Sequence, residues 1–128
     1  MSLTLKKTSQ RIIDGLSSNV AIKEHVDEFN RTFDPMLFQD EPALTGVDYL
    51  DAWFGASAQY EACMIDVQAP DWTLQKIRFL RTPYFIGGLN SRMIALVETP
   101  FAFRQRLLFI GKSTIKAPIK PAPSDKKD

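Results

Sequence analysis

Three side chains in this 128-residue chain are the main candidates for a nucleophile or a base: Ser57, Cys63 and His25. Ser57 lies in residues 55–59, which half resemble the nucleophile turn of many hydrolases but lack its final glycine. A pairing of Cys63 with His25, the single histidine, is the other candidate. A catalytic triad needs three positioned groups, and the spacing offers no third member. We therefore predict that none of the three is catalytic and that His25 lies on an exposed helix face.

Metal and cofactor sites are not indicated by the pattern of potential ligands. One histidine and one cysteine leave mainly carboxylates, and these lack the spacing of a calcium-binding loop. Asp48 and Asp51 would share one face of a helix. A solvent-exposed helix face accounts for the two carboxylates more simply than a metal site does. We expect no cofactor, no metal and no enzymatic activity.

Basic residues in the second half of the chain are the stronger functional signal. Arginine is favoured where a phosphate or carboxylate is bound by two hydrogen bonds, so either a nucleic acid or an acidic protein surface would suit them. A solvated sheet face is the alternative interpretation. The predicted partner-binding residues are Arg78, Arg81, Arg92, Arg104, Arg106, Lys112, Lys116 and Lys120.

The net charge of +1 conceals a strong asymmetry between the two halves. Residues 1–70 contain five Lys or Arg and eleven Asp or Glu, a net charge of −6. Residues 71–128 contain eleven Lys or Arg and four Asp or Glu, which gives a net charge of +7. Such asymmetry favours an interaction role, and opposite halves suit a head-to-tail contact between copies. The two halves could equally face each other within one monomer.

Length and composition predict one globular domain over residues 1–112. The chain contains no run of about 18 apolar residues, so the sequence predicts no membrane-spanning helix. Its N-terminal residues do not resemble a secretory signal. A single cysteine excludes an intramolecular disulfide. We expect the protein in the cytoplasm or within an assembled particle.

The elements that should position the arginines are predicted as a sheet. Short connections favour antiparallel neighbours, so the strands should form a meander. Two glycines and an asparagine in residues 86–91 predict a tight turn. Residues 59–67 are ambiguous: we predict a strand, and one long helix reaching Met64 is the alternative. The predicted strands are residues 72–80, 92–98 and 101–110, with 59–67 as a possible fourth.

Helices are predicted in the first half of the chain. Residues 4–16 could form a short helix, and residues 19–33 carry an apolar stripe at helical spacing. A third helix should run from Thr45, in a capping box with Asp48, to about Phe54. The fold class is therefore predicted as α+β, with N-terminal helices packed on a three- to four-stranded antiparallel sheet. The predicted shared core consists of Phe29, Phe33, Leu107 and Phe109.

Residues 113–128 are rich in proline and lysine and predict an extended C-terminal arm. With the charge asymmetry, this arm favours a non-enzymatic structural or assembly subunit that acts through protein–protein contacts. Its partners would be copies of itself or neighbours in a virion or secretion-type assembly. The alternative is a small nucleic-acid-binding module that uses an arginine-rich sheet face and the basic tail. Salt dependence would separate the two functions.

Overall fold

A computed structural model describes residues 2–85 and 99–109, and this part of the chain is mainly helical. The described elements are α1 (Leu5–Ile13), α2 (Ser18–Thr32), α3 (Met36–Gln39), α4 (Asp48–Met64), two 3₁₀ segments termed η1 (Asp71–Leu74) and η2 (Lys76–Arg78), β1 (Tyr84–Phe85), α5 (Phe101–Arg104) and β2 (Leu108–Phe109).

Helix α4 is the centre of the described fold. Its apolar and small residues extend around most of its circumference, so it is buried along most of its length. It contacts α3, both 3₁₀ segments, α5 and β2, whereas α1 packs on α2 and α3. The core combines residues from nearly all of these elements: Leu5, Val26, Phe29, Leu37, Phe38, Trp53, Phe54, Trp72, Phe103 and Leu108 are among its larger members.

Local signals explain how the first two helices begin and end. The Thr4 hydroxyl accepts a hydrogen bond from the Lys7 amide and caps α1. Gly15, at a φ of 114°, then allows the Leu16 amide to bond the Arg11 carbonyl in a Schellman arrangement. Phe33 ends α2 in the left-handed region, at a φ of 50°. The helices predicted over residues 4–16 and 19–33 are thus present, the first with shorter bounds and the second shifted by one residue toward the N-terminus.

The start of α4 differs from the predicted capping box. Its N-cap is Val47, with no side-chain cap, and Asp51 takes the role that we had assigned to Asp48. The Asp51 carboxylate accepts hydrogen bonds from the Thr45 amide at 2.8 Å, the Thr45 hydroxyl at 2.9 Å and the Gly46 amide at 3.3 Å. Asp51 is therefore buried and structural rather than part of a solvated face.

The predicted α+β fold with an antiparallel sheet is wrong. Residues 72–80 form η1 and η2, residues 101–110 begin as α5, and residues 59–67 continue α4 to Met64 as in the alternative. The described strands are two residues long and pair in parallel, with Tyr84 opposite Leu108. The apolar runs suited a strand by composition, but Pro70 and Pro100 directly precede helical turns, where proline is well tolerated. The predicted strand 92–98 and turn 86–91 lie outside the described residues, as does the arm 113–128.

The predicted core of four side chains is only partly correct. Phe29 and Phe109 are buried, but Phe33 is 48% exposed and packs its ring edge-on against Phe29. Leu107 lies in a turn at a φ of 61° and is half-buried. Leu108, its neighbour, belongs to the core instead. We assumed the two-residue period of a strand, which would place the side chains of residues 107 and 109 on the same face. Leu107 lies in a turn instead, so its side chain does not follow that period.

Candidate functional site

An open groove lies between the start of α4 and the segment that runs from η2 to β1. It consists of two adjoining cavities of about 580 and 340 Å³ that share Asp48, Leu80 and Thr82. The larger cavity is also lined by Lys76, Ile77, Phe79 and Arg81, and the smaller by Gly46, Tyr49, Pro83 and Tyr84.

Charges of both signs stand in this groove beside exposed apolar side chains. Asp48, Lys76 and Arg81 are exposed, and none has a side-chain hydrogen bond or ion pair among the described residues. Ile77 is 53% exposed in the groove, and Leu74, three residues before it, is 68% exposed. Exposed apolar groups rimmed by polar and charged side chains are typical of surfaces that bind another protein.

Two tyrosines form one wall of the groove. The rings of Tyr49 and Tyr84 are stacked, with centroids 4.3 Å apart and planes 11° from parallel. This contact joins α4 to β1. Burial and the neighbouring Tyr49 raise the pKa of Tyr84 above its ordinary value. The two stacked phenols therefore give the groove a polar, aromatic wall.

Arg78 is buried against α4 rather than presented to a partner. Its Nη2 donates to the Pro42 carbonyl at 2.8 Å and lies 3.7 Å from the Glu41 carboxylate. Its guanidinium lies over the ring of Trp72, 5.0 Å from the centroid. Burial lowers the pKa of Arg78, although the nearby Asp51 and Glu41 carboxylates oppose that shift. The residue links α4, η1 and the loop before α4.

Arg106 is also buried, and no carboxylate of the described residues pairs with it. Its guanidinium donates to the carbonyls of Ala102 at 2.8 Å and Thr73 at 2.6 Å, and to the side-chain oxygen of Gln59. It also lies over the ring of Phe79, 4.3 Å from the centroid. Burial lowers the pKa of Arg106 to about 10, so the group is still charged at neutral pH.

The predicted partner-binding residues are therefore separated by the fold. Arg78 and Arg106 are buried, because the sheet face on which we placed them is absent from the described residues. Arg81 and Arg104 are exposed, and Arg81 lines the groove. Partner binding by these two residues stays a prediction. Arg92, Lys112, Lys116 and Lys120 lie outside the described residues.

The three nucleophile and base candidates occupy unexpected positions. His25 is fully buried, which contradicts the predicted exposed position. Its Nδ1 lies 2.7 Å from the Leu3 carbonyl oxygen, and its Nε2 lies 2.8 Å from Oε2 of Glu61. Ser57 donates to the same Glu61 oxygen at 3.1 Å. Cys63 is exposed near the end of α4.

The order of groups in this buried cluster differs from that of a hydrolytic triad. A triad places histidine between the nucleophile and the acid, so that histidine removes the nucleophile's proton. Here the Glu61 carboxylate lies between Ser57 and His25. Because the Leu3 carbonyl can only accept, Nδ1 of His25 carries a hydrogen, and one further proton joins Nε2 to Glu61. The arrangement is that of a buried ion pair with a hydroxyl donor.

Sequence periodicity contained a signal for this cluster that we did not use. His25 follows Ile22 by three residues and precedes Phe29 by four, so it shares the buried stripe of α2. Ser57 and Glu61 are likewise four residues apart on α4. No pattern within either helix indicates that these two faces meet.

Known proteins provide no further assignment of the site. No family model, curated protein or solved structure matches this chain. Within residues 2–85 and 99–109, no group of three or more His, Cys, Asp or Glu side chains could hold a metal ion. None of the described helices is long and apolar enough to cross a membrane. The function must therefore be argued from the groove and the buried clusters themselves.

Proposed function

We propose that this chain is a non-enzymatic assembly subunit that acts through protein–protein contacts, in the first instance with copies of itself. The observation that carries the proposal is the groove, where Asp48, Lys76 and Arg81 lack partners among the described residues. Ile77 and Leu74 add exposed apolar surface next to these charges. An assembled particle, of virion or secretion type, is the setting that we propose for it.

Burial of Ser57, His25 and Glu61 supports a non-enzymatic role. Ser57, His25 and Glu61 are each at most 3% exposed, so a substrate could not reach them without local unfolding. The Glu61 carboxylate that accepts from Ser57 is also bound to His25, and it is as buried as the Ser57 hydroxyl. Nucleophilic catalysis requires the nucleophile to contact both a base and the substrate, and here the substrate contact is missing.

The groove favours a protein partner over a nucleic acid. Phosphate binding depends on the number of cations that can reach the backbone, and two of the five predicted arginines are buried in the core. The exposed Asp48 carboxylate lies in the same groove as Lys76 and Arg81 and would repel phosphates. A protein surface of mixed charge can satisfy all three groups.

Size-exclusion chromatography with light scattering, run over a concentration series at low and high salt, tests the proposal. We expect the full chain to associate with rising concentration and to keep much of that association at high salt, because apolar side chains contribute. A chain that stays monomeric throughout would contradict self-assembly. If it also bound a labelled oligonucleotide with an affinity that fell steeply with salt, the nucleic-acid function would replace our proposal.

A further inference from the structure

The acidic part of the surface is concentrated in one stretch of sequence. Residues 32–75 contain no lysine, arginine or histidine but eight carboxylates. Two of these, Asp51 and Glu61, are buried by the hydrogen bonds described above. The other six are Asp34, Asp40, Glu41, Asp48, Asp66 and Asp71, of which only Asp34 is half-buried.

Within this stretch, the loop of residues 40–46 presents acids and an apolar side chain from a fixed backbone. Asp40 and Glu41 are exposed, and Leu44 is 49% exposed. The loop is held at its middle by Arg78, which binds the Pro42 carbonyl. Asp51 binds the backbone amides of the last two loop residues. A loop held in this way loses little conformational entropy when it binds.

The loop of residues 40–46 ends at the groove. Gly46 is the last loop residue and lines the smaller cavity, and Asp48 lines both cavities. The loop that carries Asp40, Glu41 and Leu44 therefore leads into a groove lined by cationic and apolar groups. A molecule that carries both an acidic loop and a cationic groove can pair with its own copy about a two-fold axis. The loop of each copy then contacts the groove of the other, so the same contact forms twice.

We propose that two copies of this chain pair about a two-fold axis, with the loop of residues 40–46 of each copy seated in the groove of the other. In this arrangement the Asp40 and Glu41 carboxylates meet Lys76 and Arg81 of the second copy. Leu44 packs against Ile77, and the unpaired groove charges gain partners. The inference rests on the proposed function, and it replaces the head-to-tail contact that the charge of the two halves suggested.

Charge-reversal variants of the full chain test the pairing by light scattering and sedimentation velocity. The loop variant is Asp40→Lys/Glu41→Gln, where glutamine avoids placing a cation beside Arg78. The groove variant is Lys76→Glu/Arg81→Glu. We expect each variant alone to have a dimer dissociation constant at least about tenfold higher than the wild type. Like charges then face each other in both of the two symmetry-related loop–groove contacts. An equimolar mixture should recover a two-copy mass, since the reversed loop matches the reversed groove.

The matched control is Lys6→Glu/Arg31→Glu, which reverses two exposed cations on α1 and α2. It should dimerise like the wild type, and equal weakening by this control would overturn the proposal. Ile77→Ser, which leaves all charges in place, should also weaken the dimer. It serves as the test if a charge variant fails to fold, as judged by circular dichroism.

The remaining outcomes separate this inference from the proposed function. A wild-type chain that associates while both variants associate equally well would overturn the two-fold pairing and leave the assembly function standing. A mass that grows beyond two copies with concentration would favour an open, head-to-tail contact instead. A wild-type chain that stays monomeric would remove both proposals.

Discussion

Arg106 shows how a single buried cation can join distant parts of the chain. Its three acceptors belong to α4, η1 and α5, and they are separated from it by up to 47 residues in sequence. A buried guanidinium without a carboxylate is costly unless its donors are bonded. Here two backbone carbonyls and one amide oxygen accept from the terminal nitrogens, and the ring of Phe79 covers the group, whereas Nε has no hydrogen-bond partner among the described residues.

Arg106→Met should lower the free energy of unfolding by about 2–5 kcal/mol, because the freed Ala102 and Thr73 carbonyls would each be buried without a donor. The exposed neighbour Arg104 supplies the control, and Arg104→Met should change stability by less than about 0.5 kcal/mol. Urea denaturation of both variants measures the difference. Similar values for the two variants would mean that the Arg106 contacts contribute nothing.

His25 and Glu61 form the second buried polar link, and it connects the N-terminal segment to α4. Leu3 is held twice by α2, since its carbonyl accepts from His25 and its amide donates to Glu28. Burial alone would lower the pKa of His25. The Glu61 carboxylate, the Leu3 carbonyl and the Glu28 carboxylate together raise that pKa above its usual 6.5.

Stability should therefore fall as the pH rises above neutral. Because the pKa of His25 is higher in the folded protein than its unfolded value of 6.5, the stabilisation is fully present below pH 6.5 and is lost as the pH rises through the folded pKa. The double variant His25→Gln/Glu61→Gln should lose this dependence. Urea unfolding from pH 6 to about 9 measures it, and parallel pH curves for variant and wild type would exclude the pair as the cause.

At the scale of elements, the run of small residues in α4 allows close packing. An ideal Cβ at Gly55 would lie 3.0 Å from Cβ of Arg78 and 3.1 Å from Nε of Arg106. Both arginines therefore cross α4 at the one position that has no side chain. The helix that we predicted to end at about Phe54 thus continues through residues 55–58, whose small side chains admit these neighbours.

Gly55→Ala should destabilise the protein even though alanine favours helix. Overpacking in a filled core costs about 1–3 kcal/mol, against a gain of roughly 1 kcal/mol from helix propensity. Thermal or urea unfolding measures the sign of the change. An increase in stability would show that Arg78 and Arg106 move aside at little cost.

The sequence predicted elements well where one face of a regular helix is apolar, as in α2. It failed where apolar runs are short, because residues 72–80 and 101–110 have no period that separates short helical turns from strands. The groove depends on this same region. Arg81 was identified by residue type alone, whereas Lys76, Ile77 and the neighbouring loop become a site only when η2 folds against α4.

At the scale of the whole molecule, the charge asymmetry acts on association and not on the choice of fold. The acidic stretch 32–75 and the cations that follow it meet at the groove, so opposite charges adjoin on one face. This places complementary groups where a second copy can use them. The predicted arm of residues 113–128 would add further lysines to such a contact.

Deletion of residues 113–128 should leave the thermal midpoint of the monomer nearly unchanged and weaken association. The segment has only two large apolar residues, Ile115 and Ile119, and so adds little to a core. Differential scanning calorimetry of dilute protein and light scattering of concentrated protein measure the two effects. A truncated chain that fails to fold, or that associates as tightly as the full chain, would contradict the arm.

The bonds of Arg106 also set the order in which the nascent chain can finish folding. Helix α4 and η1 leave the ribosome before the residue that bonds Gln59 and Thr73. At about 5–20 residues per second, the roughly 35 residues from Asp71 to Arg106 take about 2–7 s to translate. During that interval the side of α4 that α5 and β2 will cover stays open to solvent. Apolar surface that is exposed on an incomplete chain is prone to aggregation, so this interval is the most vulnerable stage in the synthesis of the protein.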